Sequence, residues 1–508
     1  MTQGRAQTMN RLVTFGIALL SGICVLHAQS FETVRDHNLW NRGQNVAGIA
    51  QDSASVSYAR IYGGYESGPL HNYGQASGLW NAGVVTESIR HIGKLSFCGK
   101  FSFEQSQGKD MYGSMFTEPG TYPIDVLEFT PGRKDLQKYC AHGGLSYRAS
   151  RSVRLGLLAN FDAANYSKRK DLRHMNYCQH FFISPGLIWH KDDMAAGISV
   201  KVGKRSETVK AEVVGSAEST YFAFFDKGLM YGQYESWEGS GIHLKEAGVN
   251  GLPVKDIYAG ASVQFSYKGL FIEGGYTYSS GKAGEKDFIW FEFPANHANA
   301  HIAYRLDTPD GNHFFRFGFD WENLGNRENI LEKTAIEGVT TVEKLASNNI
   351  FRKETCTFMP EYSFVCDKWE IAWKAEGELS GIVSSQLYPF VCAWNLFDLS
   401  TDISSTVRLG KFDVSASIGF CQGFLEESSA TVSDIAGGTA VPYRIEEYHD
   451  YCTAYLKAPK YNVSARAKWD FFKGLYAMIE GRYTGTTASG VPFGKYRWGA
   501  SVSIGYDF

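Results

Sequence analysis

Apolar and polar residues alternate without a break from Lys495 to Phe508. Tyr496, Trp498, Ala500, Val502, Ile504, Tyr506 and Phe508 share one face. Lys495, Arg497, Gly499, Ser501, Ser503, Gly505 and Asp507 share the other. Successive side chains of a β-strand point to opposite faces, so this segment reads as a strand between an apolar medium and water. A helix, with a period of 3.6 residues, would scatter the same residues around its axis.

The pattern recurs along the chain. Leu95, Phe97, Phe101 and Phe103 oppose Lys94, Lys100 and Glu104, and Leu155, Leu157 and Phe161 oppose Arg154 and Asp162. Phe315, Phe317, Phe319 and Trp321 oppose Arg316 and Asp320. Trp369, Ile371 and Trp373 oppose Glu370, Lys374 and Glu376. Tight turns are expected near His91–Gly93, Ser150–Arg151, Lys191–Asp193, Lys268–Gly269, Thr308–Asn312, Asp367–Lys368, Gly410–Lys411 and Phe472–Gly474. Long polar connections are expected near Gln107–Arg133, Ser206–Pro253, Gly325–Asn349 and Glu426–Glu447. Tyr147, Trp189, Tyr267, Trp369 and Trp469 lie close to tight turns on the apolar phase, where an aromatic belt marks a membrane interface.

Lipid offers no hydrogen-bond partner to a backbone amide, so strands that span it must close on themselves. The expected fold is all-β: a closed antiparallel transmembrane β-barrel of about 18 strands, within a range of 14 to 18. It has short periplasmic turns and long extracellular loops. Aromatic residues at 15%, 54 glycines and only 13 prolines suit long strands joined by tight turns.

Arg5 and Arg11 precede an apolar run from Leu12 to Leu26, followed by His27 and Ala28. These are the parts of a cleavable signal peptide, expected over residues 1–28. Residues 29–53 form a periplasmic lead-in or a hatch, and residues 54–508 the barrel. The net charge of −3 becomes −5 once Arg5 and Arg11 are removed, which argues against nucleic acid as a partner. Eight cysteines follow Cys24, an even number that permits disulfides in an exported protein. Free thiols fit their spacing equally well.

The terminal strand, closing on Phe508, resembles the C-terminal assembly signal of bacterial outer-membrane barrels. That likeness implies a role in assembly for Trp498, Val502, Ile504, Tyr506 and Phe508. Asn45-Val46-Ala47-Gly48-Ile49-Ala50 is similar to the Asn-Pro-Ala-Gly-Leu hatch motif of long-chain fatty-acid channels, with Val46 in place of Pro. The Leu39–Ala50 stretch, Tyr122–Asp125, Lys170–Arg173, the terminal Gly505–Phe508 and Gln29 together resemble an uncharacterised family of Bacteroidota outer-membrane barrels. Lys170–Arg173 departs from the Asp-Pro-Arg form associated with that family. The resemblance implies fold and a bacterial outer-membrane location, and no catalytic residues.

The polar phase supplies the candidate lumen charges Lys94, Lys100, Glu104, Arg154, Asp162, Arg316, Asp320, Glu370, Lys374, Glu376, Glu480, Arg482 and Arg497. Mixed charges of this kind line a hydrophilic pore, or pair off inside a filled barrel. The expected function is a porin-like channel for small polar solutes. The alternative is a scaffold or surface receptor working with surface lipoproteins. The aromatic stretch Tyr221–Phe225 within the longest connection either presents rings to glycans or partner proteins or, as expected here, folds inward or extends strands above the membrane and buries them. No enzyme activity, cofactor or metal site is expected. His297 and His301 lie four apart, about 13 Å along a strand, too far to share a metal. The other expected partners are outer-membrane lipid and the outer-membrane assembly machinery.

Overall fold

A computed structural model describes residue 31 and residues 38–51, 54–214, 221–229, 232–237, 251–285, 288–336, 339–385, 391–429 and 444–508. The expected signal peptide lies outside these residues. Among the described residues twenty strands run in chain order: β1 Val56–Ser67, β2 Gly78–Ile92, β3 Leu95–Ser114, β4 Asp125–Arg148, β5 Val153–Lys168, β6 Arg173–Lys191 and β7 Met194–Glu212. Then come β8 Tyr221–Asp226, β9 Gly232–Trp237, β10 Leu252–Tyr267, β11 Leu270–Glu285, β12 Phe288–Thr308 and β13 Gly311–Ile336. The last are β14 Val339–Val365, β15 Trp369–Ser385, β16 Val391–Leu409, β17 Phe412–Ser429, β18 Lys460–Phe472, β19 Leu475–Thr486 and β20 Tyr496–Asp507. A 3-10 turn (Val46–Gln51) precedes β1, and an α-helix, α1 (Arg444–Lys457), precedes β18.

Each wall strand pairs antiparallel with its neighbour, β7 pairs with β10, and β1 pairs with β20. The sheet therefore closes as a barrel of 18 strands. The hairpin of β8 and β9 stands off the wall and pairs through β8 with the far end of β4. Turns at one end are tight. Lys268 and Gly269, and likewise Lys473 and Gly474, both have positive φ, as a two-residue hairpin matching the strand twist requires.

The alternation has a direct physical consequence. Ile61, Ile504 and Val502 on the outer face are each more than 60% exposed, and such residues continue right round the barrel. Water would not tolerate so large an apolar belt, and lipid would. Aromatic rings edge the belt at both ends. Tyr147, Trp189, Tyr267, Trp369 and Trp469 lie at the turn end, and Trp80, Tyr177, Tyr483 and Trp498 towards the other. Phe412 and Trp469 stack across neighbouring strands at 6.0 Å.

The connections at the opposite end differ from the sequence expectation. Gly325–Asn349 is mostly strand: β13 and β14 continue as a paired hairpin to Ile336 and Val339. The Gln107–Arg133 region contains the end of β3 and the start of β4, and Ser206–Pro253 contains the end of β7 and the β8–β9 hairpin. Above the lipid both faces of a strand meet water or protein, so the period-2 signal fades while the hydrogen-bonded ladder continues.

Those upper segments fold inward. Phe116, Tyr122, Ile124 and Val126 pack with Phe225, Val254, Phe291 and Ile350 in one buried core. Leu127, Phe129 and Phe224 form a second with Tyr73 and with Ile445 and Cys452 of α1. The expected burial of the aromatic stretch holds for Phe224 and Phe225. The side chains of Tyr221 and Phe222 lie outside the described residues.

Candidate functional site

The interior has three levels. At the turn end, residues 38–51 lie against the inner wall. Asn45 donates to the Leu187 and Ile198 carbonyls and to Gln264 Oε1, all at 3.1 Å. Trp40 is buried against Phe271, with ring centroids 5.1 Å apart, and its indole N–H donates to Ser266. The wall makes room for this segment. Gly144, Gly156, Gly186 and Gly197, on β4 to β7, face it, and a β-carbon on any of them would collide with Asn45, Val46 or Ala47. Glycine here supplies close approach rather than an unusual backbone angle.

Glu361 on β14 ties the segment to the opposite wall. It pairs with Arg42 at 3.2 Å, Arg316 at 2.8 Å and Lys374 at 3.9 Å. The sequence reading missed Glu361. Its phase opposite Tyr362 would have revealed it.

At mid-height the inner wall is polar, and its charged groups are accessible. Lys100 pairs with Glu87 at 2.8 Å, and Glu104 accepts from the Tyr62 hydroxyl at 2.6 Å. Asp320 faces His297 at 3.4 Å, and Glu480 pairs with Arg482 at 3.1 Å. Glu376 is exposed on the lumen phase of β15. The Lys374 and Arg482 side chains keep 57% and 64% of their surface exposed. Glu370, towards the turn end, meets Arg408 at 3.7 Å. Arg154, two residues before Gly156, carries buried guanidinium nitrogens with no hydrogen-bond partner among the described residues. Lys94 stands apart from the rest, exposed in the turn between β2 and β3 at the barrel rim.

Two cavities lie along this level. One of about 390 Å³ lies beside β1, β19 and β20, between Arg60, Glu480 and Arg482. The other, of about 360 Å³, lies against β3 to β7, beneath residues 117–122. Tyr62 and Glu104 border both. The second contains a register row across three strands: Asp162 of β5 is opposite His180 of β6, which is opposite Arg205 of β7. His180 contacts Asp162 at 3.4 Å and Tyr258 at 2.7 Å. Glu207 accepts from the Thr117 backbone and hydroxyl, both at 2.8 Å, which holds the overlying segment down.

At the loop end a buried ionic cluster braces the cap. Glu128 pairs with Lys134 at 3.3 Å and also with Lys168, and all three side chains are essentially buried. The ammonium of Lys134 also donates to the Ser114 carbonyl at 2.9 Å. His174, buried nearby, meets Asn176. No cluster of three metal-ligating side chains occurs among the described residues.

A closed 18-stranded antiparallel barrel with an apolar girdle, a polar interior and inward-folded loops is the architecture of outer-membrane barrel proteins. The chain belongs to a family of unknown function (DUF6850), whose family model matches residues 46–508. No curated protein matches it. Among solved structures it is similar in fold to the siderophore receptor PiuA from Acinetobacter baumannii, with 8% identity, a TM-score of 0.41, and 90% of this chain and 82% of that one covered. It is also similar to the ferric preacinetobactin receptor BauA from the same organism, at 7% identity and a TM-score of 0.39 over 90% and 80% of the two chains. A third similar structure is the CymD monoaromatic hydrocarbon channel, at 9% identity and a TM-score of 0.34 over 92% and 91%.

Proposed function

We propose that this protein is a bacterial outer-membrane channel for small polar solutes, with residues 39–51 acting as a hatch at its periplasmic mouth. The observation that carries the reading is the solvated charge at mid-barrel. Lys374 and Arg482 point into the lumen and remain more than half exposed. Charged groups left in water inside a barrel favour ions and hydrated solutes over apolar ones. The hatch rests on the glycine seat beneath Asn45, Val46 and Ala47. The periplasmic placing of the turn end follows the usual arrangement of short turns and long loops. The sequence resemblance to Bacteroidota barrels supports the same compartment.

Planar-bilayer recording from the purified, folded protein tests this. Discrete conductance is expected. No current above background from folded barrels would remove the channel reading.

The packed cores at the loop end favour a second reading, a surface receptor or scaffold working with lipoprotein partners. There Phe116, Tyr122, Phe225 and Phe291 fill space that an open pore would leave to water. Co-purification of a stoichiometric lipoprotein with a barrel that carries no current would favour it.

A further inference from the structure

The cavity beneath residues 117–122 holds two charged groups with capacity left for a ligand. Arg205 makes no hydrogen bond or ion pair with the described residues. Asp162 is engaged by Asn160 and His180 through Oδ2 alone, and its side chain keeps 41% of its surface exposed. Asp256, opposite Arg205 on β10, acts on it electrostatically without forming an ion pair. The other acids that line the cavity are already engaged, Glu118 by Lys138. Glu104 accepts from Tyr62 and Ser106, and Glu207 from Thr117 and Asn176.

A second, independent feature points the same way. Tyr122 is 7% exposed and lines this cavity, yet its hydroxyl has no hydrogen-bond partner among the described residues. A buried phenol without a partner costs about 1–3 kcal/mol, so an unfilled hydroxyl at a cavity wall is a place where a ligand gains. Burial pushes this phenol well above its usual range, with Glu207 adding to the shift, and it therefore remains a donor. Arg205 is near enough to the phenol to act on it electrostatically.

Geometry sets the size of the ligand. Asp162 and Arg205 stand two strands apart in one register row, with His180 between them. At about 4.8 Å per strand their Cα atoms are roughly 10 Å apart, and both side chains reach into the same space. A donor pair on one side and an open carboxylate on the other match a molecule with a carboxylate at one end and an ammonium at the other.

We propose that this cavity binds a small zwitterion, of amino-acid to dipeptide size, with its carboxylate on Arg205 and Tyr122 and its ammonium on Asp162. The inference rests on the reading of the lumen as a water-filled channel for polar solutes, and it names their chemical class. A cavity of about 360 Å³ accommodates such a molecule with a few waters.

The test uses the full chain in detergent and isothermal titration calorimetry with Ala-Ala. Saturable binding is expected, and N-acetyl-Ala-Ala-amide, of the same shape without the charges, should bind at least about ten-fold more weakly. Arg205→Gln should weaken Ala-Ala binding by a similar factor, and Tyr122→Phe by less. Equal affinity for the charged and blocked peptides overturns the proposal whether or not either variant folds. So does the absence of binding by wild type. Conductance of the same preparation separates the two readings. Current without Ala-Ala binding overturns this site and leaves the channel, whereas Ala-Ala binding without current supports this site and removes the channel.

Discussion

Arg497 on the last strand reaches Glu66 on the first across the seam that closes the barrel, at 2.8 Å. The same guanidinium donates to the Ala76 carbonyl at 2.9 Å, in the connection between β1 and β2. One side chain thus joins both sides of the closure and the loop above it. Glu66 is 39% exposed, so solvent screens the pair and limits its worth to about 1 kcal/mol. Arg497→Met is expected to lower the temperature at which the folded barrel unfolds in a heating gel-shift assay, and to leave assembly intact. An unchanged transition would show that the seam depends on its backbone ladder alone.

The glycine seat makes the hatch testable by addition as well as by deletion. Gly186→Val places a branched side chain where Asn45 now sits, and Gly156→Val does the same beneath Ala47. Both positions face the lumen, so the lipid face is untouched. Each variant should assemble normally and conduct more than wild type, as should deletion of residues 33–50. Currents equal to wild type from all three would mean that this segment does not obstruct the path.

Removing the carboxylate of Glu128 would strand two buried ammonium groups. Breaking a buried ion cluster from one side costs about 3–5 kcal/mol, because the remaining charges stay desolvated. Glu128→Gln should therefore loosen the cap and expose residues 115–124 to limited proteolysis. The barrel itself should keep its resistance to heat. Replacing all three members together, as Glu128→Leu with Lys134→Met and Lys168→Met, should restore much of the protection. Equal protease resistance in wild type and Glu128→Gln would exclude a bracing role.

The C-terminal aromatic is expected to matter during assembly. The Phe508 backbone N–H donates to the Ser57 carbonyl at 2.8 Å, its ring stacks on Tyr506 at 5.7 Å, and Arg90 sits 5.6 Å above it. Phe508→Asp, or deletion of Tyr506–Phe508, should reduce the heat-modifiable form recovered from membranes. Normal yields of both variants would rule out an assembly signal in these residues.

The spanning part of the fold was legible in the sequence because lipid imposes a strict rule on it. Ile257, Ala259, Ala261, Val263 and Phe265 must all face out, and a two-residue turn such as Lys268–Gly269 must accept positive φ. Above the lipid neither rule applies. The β13–β14 hairpin therefore has the sequence pattern of a connection from Gly325 to Asn349. The partners of the inward-folded segments were equally hidden. Asp125 pairs with Asp226, and Arg42 meets Glu361 more than three hundred residues away, with no local pattern to announce either contact. The lumen charges were legible as a phase, but their pairing was not. Glu361 collects three cations from three elements, and only the folded register brings them together.

The route of the chain between β7 and β10 also constrains how the molecule is made. These two strands are neighbours in the wall, yet the chain between them travels back to meet β4 through β8. In the folded wall β5, β6 and β7 lie between the two ends that this contact joins. The connectivity thus predicts that the cap forms after the wall. A barrel whose wall has closed but whose β8–β4 pairing has not yet formed is the intermediate this connectivity predicts.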